Sequence, residues 1–171
     1  MTTFNLRTVK LHPGELFQTE LPVTLEPLDL GGQRYLPEPE EPQASLVINR
    51  AVSGTLFSLS FEVSLVGPCV RCLQGASVPI RVAAKEYQAE SPDSEELEMP
   101  YVADDRLDLT AWAHDLVALS LPLKILCRED CAGICPGCGA NLNLEPCTCA
   151  APAPDIRFAK LADLFAKGEE V

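Results

Sequence analysis

Residues 44–87 read ASLVINRAVSGTLFSLSFEVSLVGPCVRCLQGASVPIRVAAKEY, and the fold turns on them. From Thr55 to Val66 apolar and polar side chains alternate, so Phe57, Leu59, Phe61, Val63 and Leu65 share one face. Ser58, Ser60, Glu62 and Ser64 share the other. That is the period of a strand with one buried and one wet face. Ala44 to Val52 reads as the strand before it, joined by Ser53-Gly54 as a tight hairpin turn. Val78 to Tyr87 reads as the strand after it, with Val78, Ile80, Val82 and Ala84 on a common face. Cys69-Val70-Arg71-Cys72 therefore falls at the tip between two strands, where a turn can aim backbone amides at thiolates.

On the N-terminal side, Glu20 to Leu28 alternates around Leu21, Val23 and Leu25, the pattern of a half-buried strand, and Gly31-Gly32 supplies a turn. Leu36 to Pro42, LPEPEEP, has three prolines and three glutamates and reads as an extended surface linker. On the C-terminal side, Leu107-Asp108-Leu109-Thr110 opens a helix predicted over 110–121, capped by Thr110 or Asp108. Leu109, Trp112, Leu116, Val117, Leu119 and Leu121 give it a broad apolar face that ends before Pro122. Beyond Cys149 an Ala-Pro spacer leads to a last helix capped by Asp155, striped with Phe158, Leu161, Leu164 and Phe165 and stopped by Gly168.

The expected architecture is α+β: an antiparallel, barrel-like β-sheet, one helix, a cysteine-rich zinc-binding lobe and a C-terminal helix. Residues 1–126 form the β-rich domain with its helix at 110–121, residues 127–149 the zinc lobe, and residues 150–171 the spacer and final helix, all as a single compact unit. A chain of 171 residues is long enough to bury an apolar core, and too short for two large domains.

With 25 acidic against 13 basic residues the net charge is −12, which disfavours broad binding to phosphate backbones and suits a basic protein partner. The acid is concentrated from Glu86 to Asp105, which contains no Lys or Arg and reads as a solvated acidic loop, docking of basic protein being its other use. No stretch approaches the roughly 20 apolar residues of a membrane span. The N-terminus MTTFNLRTVKLHPG lacks the apolar centre of a signal peptide, so a cytoplasmic location is expected. His12 and His114 are each lone, without a second histidine or paired carboxylate at ligand spacing, and read as surface or hydrogen-bonded residues.

In a reducing compartment the eight cysteines are expected as thiols or thiolates, and their clustering points to metal. Two lie in Cys69-x-x-Cys72 and six between Cys127 and Cys149, CREDCAGICPGCGANLNLEPCTC. Zinc takes four such ligands in a tetrahedron, and a C-x-x-C turn supplies two with little strain. The spacing suggests two zinc ions. One is held by Cys135, Cys138, Cys147 and Cys149, with residues 139–146 looping back. The other is held by Cys69, Cys72, Cys127 and Cys131. An interleaved pairing that splits Cys127 and Cys131 from Cys69 and Cys72 stays open, and iron–sulfur clusters and redox dithiols use the same side chain. Four-cysteine sites are closed to water, and nothing beside them resembles an H-x-E or Ser/His/Asp arrangement, so the sites read as structural and the chain as no enzyme.

Four motifs in order carry a family resemblance. They are C-x-R-C at Cys69, Arg71 and Cys72; D-L-T opening and L-P-L-K closing the helix from Asp108 to Lys124; C-x3-C-x-G-x-C-P-x-C-G-x-N-L-N from Cys127 to Asn143; and D-x-R-F-x-x-L-x-x-L from Asp155 to Leu164. Over about the last two-thirds of the chain this resembles the YceD-like family of large ribosomal RNA subunit accumulation proteins. The resemblance implies a bacterial and plastid factor needed for normal accumulation of large-subunit ribosomal RNA, often encoded beside a small basic ribosomal protein. In that family C-x-R-C is the wider feature and the six-cysteine segment belongs to some branches. Ile156 stands where the family tail often has proline.

The expected function is that of a non-catalytic ribosome biogenesis factor that binds a basic large-subunit ribosomal protein or a pre-ribosomal particle. The alternatives are a zinc-stabilised RNA-binding module that contacts precursor ribosomal RNA through Arg71, Lys124 and Arg128, and a thiol/zinc redox switch.

Overall fold

The computed structural model describes residues 1–90 and 98–149. It divides into two compact units, Met1–Cys131 and a second that starts at Ala132. The first contains β1 (Thr3–Asn5), β2 (Leu16–Pro22), β3 (Leu28–Leu30), β4 (Gln33–Glu38), β5 (Gln43–Arg50), β6 (Gly54–Pro68), β7 (Gly75–Ala89), β8 (Val102–Ala103), β9 (Arg106–Asp108) and the helix α1 (Leu109–Leu119). The predicted C-terminal helix lies outside the described residues, as does the middle of the acidic run.

The alternating stretch is the axis of the sheet. β6 pairs antiparallel with β7 along its whole length, from Gly54 opposite Ala89 to Pro68 opposite Gly75. Its other edge is shared: β5 takes Thr55 to Ser60 and β4 takes Ser64 to Val66. β2 pairs outside β5 and β3 outside β4. The pairing is antiparallel as expected, but the sheet stays open and does not close into a barrel. β1, β9 and β8 form a separate three-stranded sheet.

All five apolar side chains of the β6 face are buried. Cross-strand pairs such as Ile48 with Phe57 and Phe61 with Val82 set branched against aromatic side chains, the arrangement that stabilises antiparallel ladders. Gly31 and Gly32 both take positive φ, at 57° and 79°, which suits the two-residue turn between β3 and β4.

Three expectations need correction. The strand predicted over 20–28 begins earlier and ends at Pro22, although Val23 and Leu25 stay buried and donate to the carbonyls of Pro42 and Glu40 at 3.0 and 2.9 Å. Leu36 to Pro42 is no free linker, because Leu36, Pro37 and Glu38 pair with β6. Proline lacks a donor but keeps an extended φ, so it fits a strand at a place where its nitrogen is not needed. The acidic run is also partly strand, since β7 continues to Ala89 and β8 covers Val102–Ala103.

Asp108, rather than Thr110, caps α1: its Oδ1 accepts from the amide of Ala111 at 3.0 Å. Thr110 is buried instead, and its Oγ1 accepts from the amide of Thr2 at 2.7 Å. The helix buries Leu109, Trp112, Ala113 and Val117, while Leu119 at its last position is 82% exposed. The Trp112 ring stacks on Tyr101 at 6.1 Å, yet its buried indole N–H has no acceptor among the described residues. Trp112→Ala should therefore cost about 3–5 kcal/mol through the cavity it leaves. Trp112→Phe should cost clearly less, because it also deletes the unsatisfied donor. Urea denaturation of the two variants checks that order.

Candidate metal centres

The first centre is built at the end of the β6–β7 pair. Beyond Pro68 and Gly75 the chain folds into a knuckle: Cys69 donates its amide to Gln74 O at 2.7 Å and accepts from Leu73 N at 3.0 Å. The amide of Arg71 points at Cys69 Sγ at 3.5 Å. Tyr35 braces the base of this turn, its hydroxyl donating to Pro68 O at 2.9 Å, and only a glycine at position 67 leaves room for its ring. Val70 donates its amide to Ile125 O at 2.9 Å, which lays the segment after α1 along the knuckle and delivers Cys127. A turn closed by Cys131 N on Arg128 O then delivers Cys131.

The result is a quartet of Cys69, Cys72, Cys127 and Cys131 with all four sulfurs within 4.8 Å of one another. Cys72 and Cys127 lie 3.5 Å apart, and Cys69 and Cys131 3.8 Å. A tetrahedral ion with sulfur at about 2.3 Å requires edges of about 3.8 Å, which these two pairs approach, so the quartet is compact enough to hold one ion. Every cysteine is a free thiol. Cys69, Cys72 and Cys131 are buried and form part of the apolar core, whereas Cys127 is exposed.

The second unit repeats the device. Cys135 donates to Ala140 O and accepts from Gly139 N, both at 2.8 Å, and Gly137 N points at Cys135 Sγ at 3.4 Å. Cys138, Cys147 and Cys149 complete a second quartet of the same compactness. Two asparagines hold the returning loop. Asn141 Oδ1 accepts from the amide and the side chain of Asn143, and Asn143 Oδ1 accepts from Ala132 N at 2.7 Å. Sequence reasoning missed this clamp, although the N-L-N triplet is its signal, since asparagine side chains bond locally to turn amides.

The structure thus brings together the two quartets suggested by spacing, and both C-x-x-C pairs keep their members in one site. The cations Arg71, Lys124 and Arg128 are exposed on the segments of the first quartet, and Arg128 pairs with Asp130 at 3.3 Å. His12 pairs with Glu15 and His114 with Asp115, each at 3.3 Å, and neither joins a quartet.

Electrostatics divide each quartet. Burial pushes the Cys69 thiol up, but hydrogen bonds from the amides of Arg71, Cys127 and Cys72 outweigh it and bring it down to about 6. In the other quartet the amides of Cys138 and Gly137 bring Cys135 down to about 6. The neighbouring thiols are held up. Contact with Cys72 and burial push Cys127 up to about 12, and contact with Cys138 and Cys135 pushes Cys149 up to about 11. The Gln74 amide pulls Cys72 down, yet burial and the thiols of Cys131 and Cys69 leave it raised; contact with Cys135 raises Cys147. One readily formed thiolate beside thiols that resist a second charge is the state a divalent cation would convert to four thiolates.

Sheet, helix and quartets together define a small α+β protein whose two closed four-cysteine sets suit ions that staple loops and leave no open position for a substrate. The chain belongs to the family of the large ribosomal RNA subunit accumulation protein YceD, whose model matches residues 57–165. Among similar proteins, an uncharacterised one of Mycobacterium tuberculosis is 36% identical over 126 residues, covering 70% of this chain and 60% of that protein. A chloroplast protein of Arabidopsis thaliana, named large ribosomal RNA subunit accumulation protein YCED homolog 1, is 34% identical over 58 residues, 34% of this chain and 18% of that one. The chain therefore spans about three-fifths of the mycobacterial relative and a far smaller part of the plant one. No solved structure matches it. Among the described residues no helix is long and apolar enough to cross a membrane.

Proposed function

We propose that this chain is a non-catalytic cytoplasmic factor for accumulation of large-subunit ribosomal RNA, and that it acts by holding a basic large-subunit ribosomal protein. Membership of the YceD family, over residues 57–165, is the observation that carries the process. The net charge of −12 supports the kind of partner: an acidic surface attracts a basic, otherwise sticky protein and repels the phosphates that would compete for it. Zinc is the ion we propose for both quartets, since four clustered cysteine thiolates are its usual structural set. The ions hold the binding surface in shape and take no part in chemistry.

The test is direct binding. Zinc-loaded chain is titrated with purified large-subunit proteins and with ribosomal RNA fragments at physiological salt. Tight binding of one or more basic proteins, weakening steeply with added salt, is expected. Tight RNA binding with no protein bound would overturn the reading in favour of a direct RNA contact through Arg71, Lys124 and Arg128.

A further inference from the structure

The two knuckles are built alike and differ at one telling position. Leu73 follows the second cysteine of its knuckle at φ +61°, and Gly139 does the same in the other at φ +74°. In both, this residue's amide donates to the carbonyl of the first cysteine, and the first cysteine's amide donates to the carbonyl of the next residue along. Glycine enters the left-handed region freely; a leucine there is strained. The second knuckle shows that the turn itself asks for no side chain at that position.

What the strained position presents is an apolar side chain in water. Leu73 is 58% exposed, Val70 at the same tip is 48% exposed, and Leu123 is fully exposed. The bond from Val70 N to Ile125 O holds Ile125 against the tip, one residue after Lys124 and two after Leu123. Arg71, between the two cysteines, and Lys124, next to Leu123, are exposed and have no ion-pair partner among the described residues. Among the described residues Arg7, Arg50 and Arg81 are each paired with a carboxylate, while Lys10, Arg34, Lys85 and Arg106 on other elements share the unpaired state of Arg71 and Lys124; what sets the tip apart is exposed apolar side chains beside its cations. On a chain of net charge −12, apolar side chains and uncompensated cations stand together at this tip.

We propose that the tip of the first knuckle docks a polypeptide segment of a partner protein that presents apolar side chains beside carboxylates, with Leu73 as the anchor and Arg71 and Lys124 facing the acids. Charge complementarity selects an acidic segment. RNA fits the tip less well, because Val70, Leu73 and Leu123 offer no aromatic face for a base and the net charge repels phosphate. The contact goes beyond the one proposed above, which places a basic protein on the acidic surface.

The probe is a library of random 16-residue peptides displayed on phage, selected against the zinc-loaded full chain, with the enriched peptides measured afterwards by fluorescence anisotropy. Enriched peptides should combine leucine, isoleucine or phenylalanine with aspartate or glutamate, and bind L73G at least tenfold more weakly than the unmodified chain. L73G should keep its zinc content and melt at the same temperature or higher, because glycine relieves the strain, which separates lost docking from lost folding. Peptides that bind L73G as well as the parent chain, enrichment of basic peptides, or no enrichment at all would overturn the proposal. So would an RNA oligonucleotide that displaces the peptides, or self-association of the chain abolished by L73G.

Discussion

In chain loaded with zinc, replacing Cys69 and Cys72 together with serine should abolish metal binding at the first quartet and loosen the end of the sheet, lowering stability by about 5 kcal/mol or more, whereas Cys135→Ser with Cys138→Ser should abolish it at the second quartet and leave the sheet folded. The asymmetry follows from burial. Cys69, Cys72 and Cys131 are members of the apolar core, packed with the side chains that β6, β7 and α1 bury. Loss of the ion there leaves buried hydroxyls and thiols without partners, each costing about 1–3 kcal/mol. It also forfeits ion-binding free energy, which in zinc-dependent folds is about 10–16 kcal/mol and comparable to a domain's whole stability of about 5–15 kcal/mol. The second quartet lies in the unit that starts at Ala132, with two of its cysteines exposed, so its loss is confined to residues that make no part of the sheet. Zinc analysis with thermal melts followed by circular dichroism distinguishes the two variants. Equal damage to the sheet from both would show that the quartets are not energetically separate.

Zinc affinity should fall by about a hundredfold or more for each unit of pH lowered across neutrality. The sign follows from the protons each quartet carries without its ion. Cys72 and Cys127 in one, and Cys147 and Cys149 in the other, are all raised above the usual thiol range and protonated at neutral pH. Binding must expel at least those two protons per site, and falling pH opposes it. Cys69 and Cys135, brought down to about 6, add a further proton to each site only below that pH, where the dependence should steepen. Competition with a chromophoric chelator at two pH values one unit apart, together with calorimetry in buffers of different ionisation enthalpy, gives the proton count. An affinity independent of pH would mean that the thiols are already ionised and that the amides hold more charge than the geometry suggests.

Much of this was legible in the chain. The alternation of Phe57, Leu59, Phe61, Val63 and Leu65 fixes a strand and its buried face, because successive side chains in extended backbone point to opposite sides whatever lies around them. The C-x-x-C pairs likewise announce their turns. Where prediction strayed, the deciding partner was distant. Pro37 joins a strand because Leu65 lies opposite it, and Leu119 is exposed although its spacing places it on the apolar stripe. Asn141 and Asn143 become a clamp only once Ala132 is within reach.

The sequence by itself determined the β6 strand with its buried face, the helix and the two thiol-bearing turns, all of which rest on geometry between near neighbours. Only the tertiary structure decided which turn shares an ion site with which later cysteines. Cys72 meets Cys127 and Cys69 meets Cys131 across separations of 55 and 62 residues. At that meeting the segments are joined by backbone donors, Val70 N to Ile125 O and Cys127 N to the Cys69 thiol, at the end of a strand pair. Spacing offered this pairing beside an interleaved one, and the choice between them is made only after the sheet and helix have packed and set the two segments side by side.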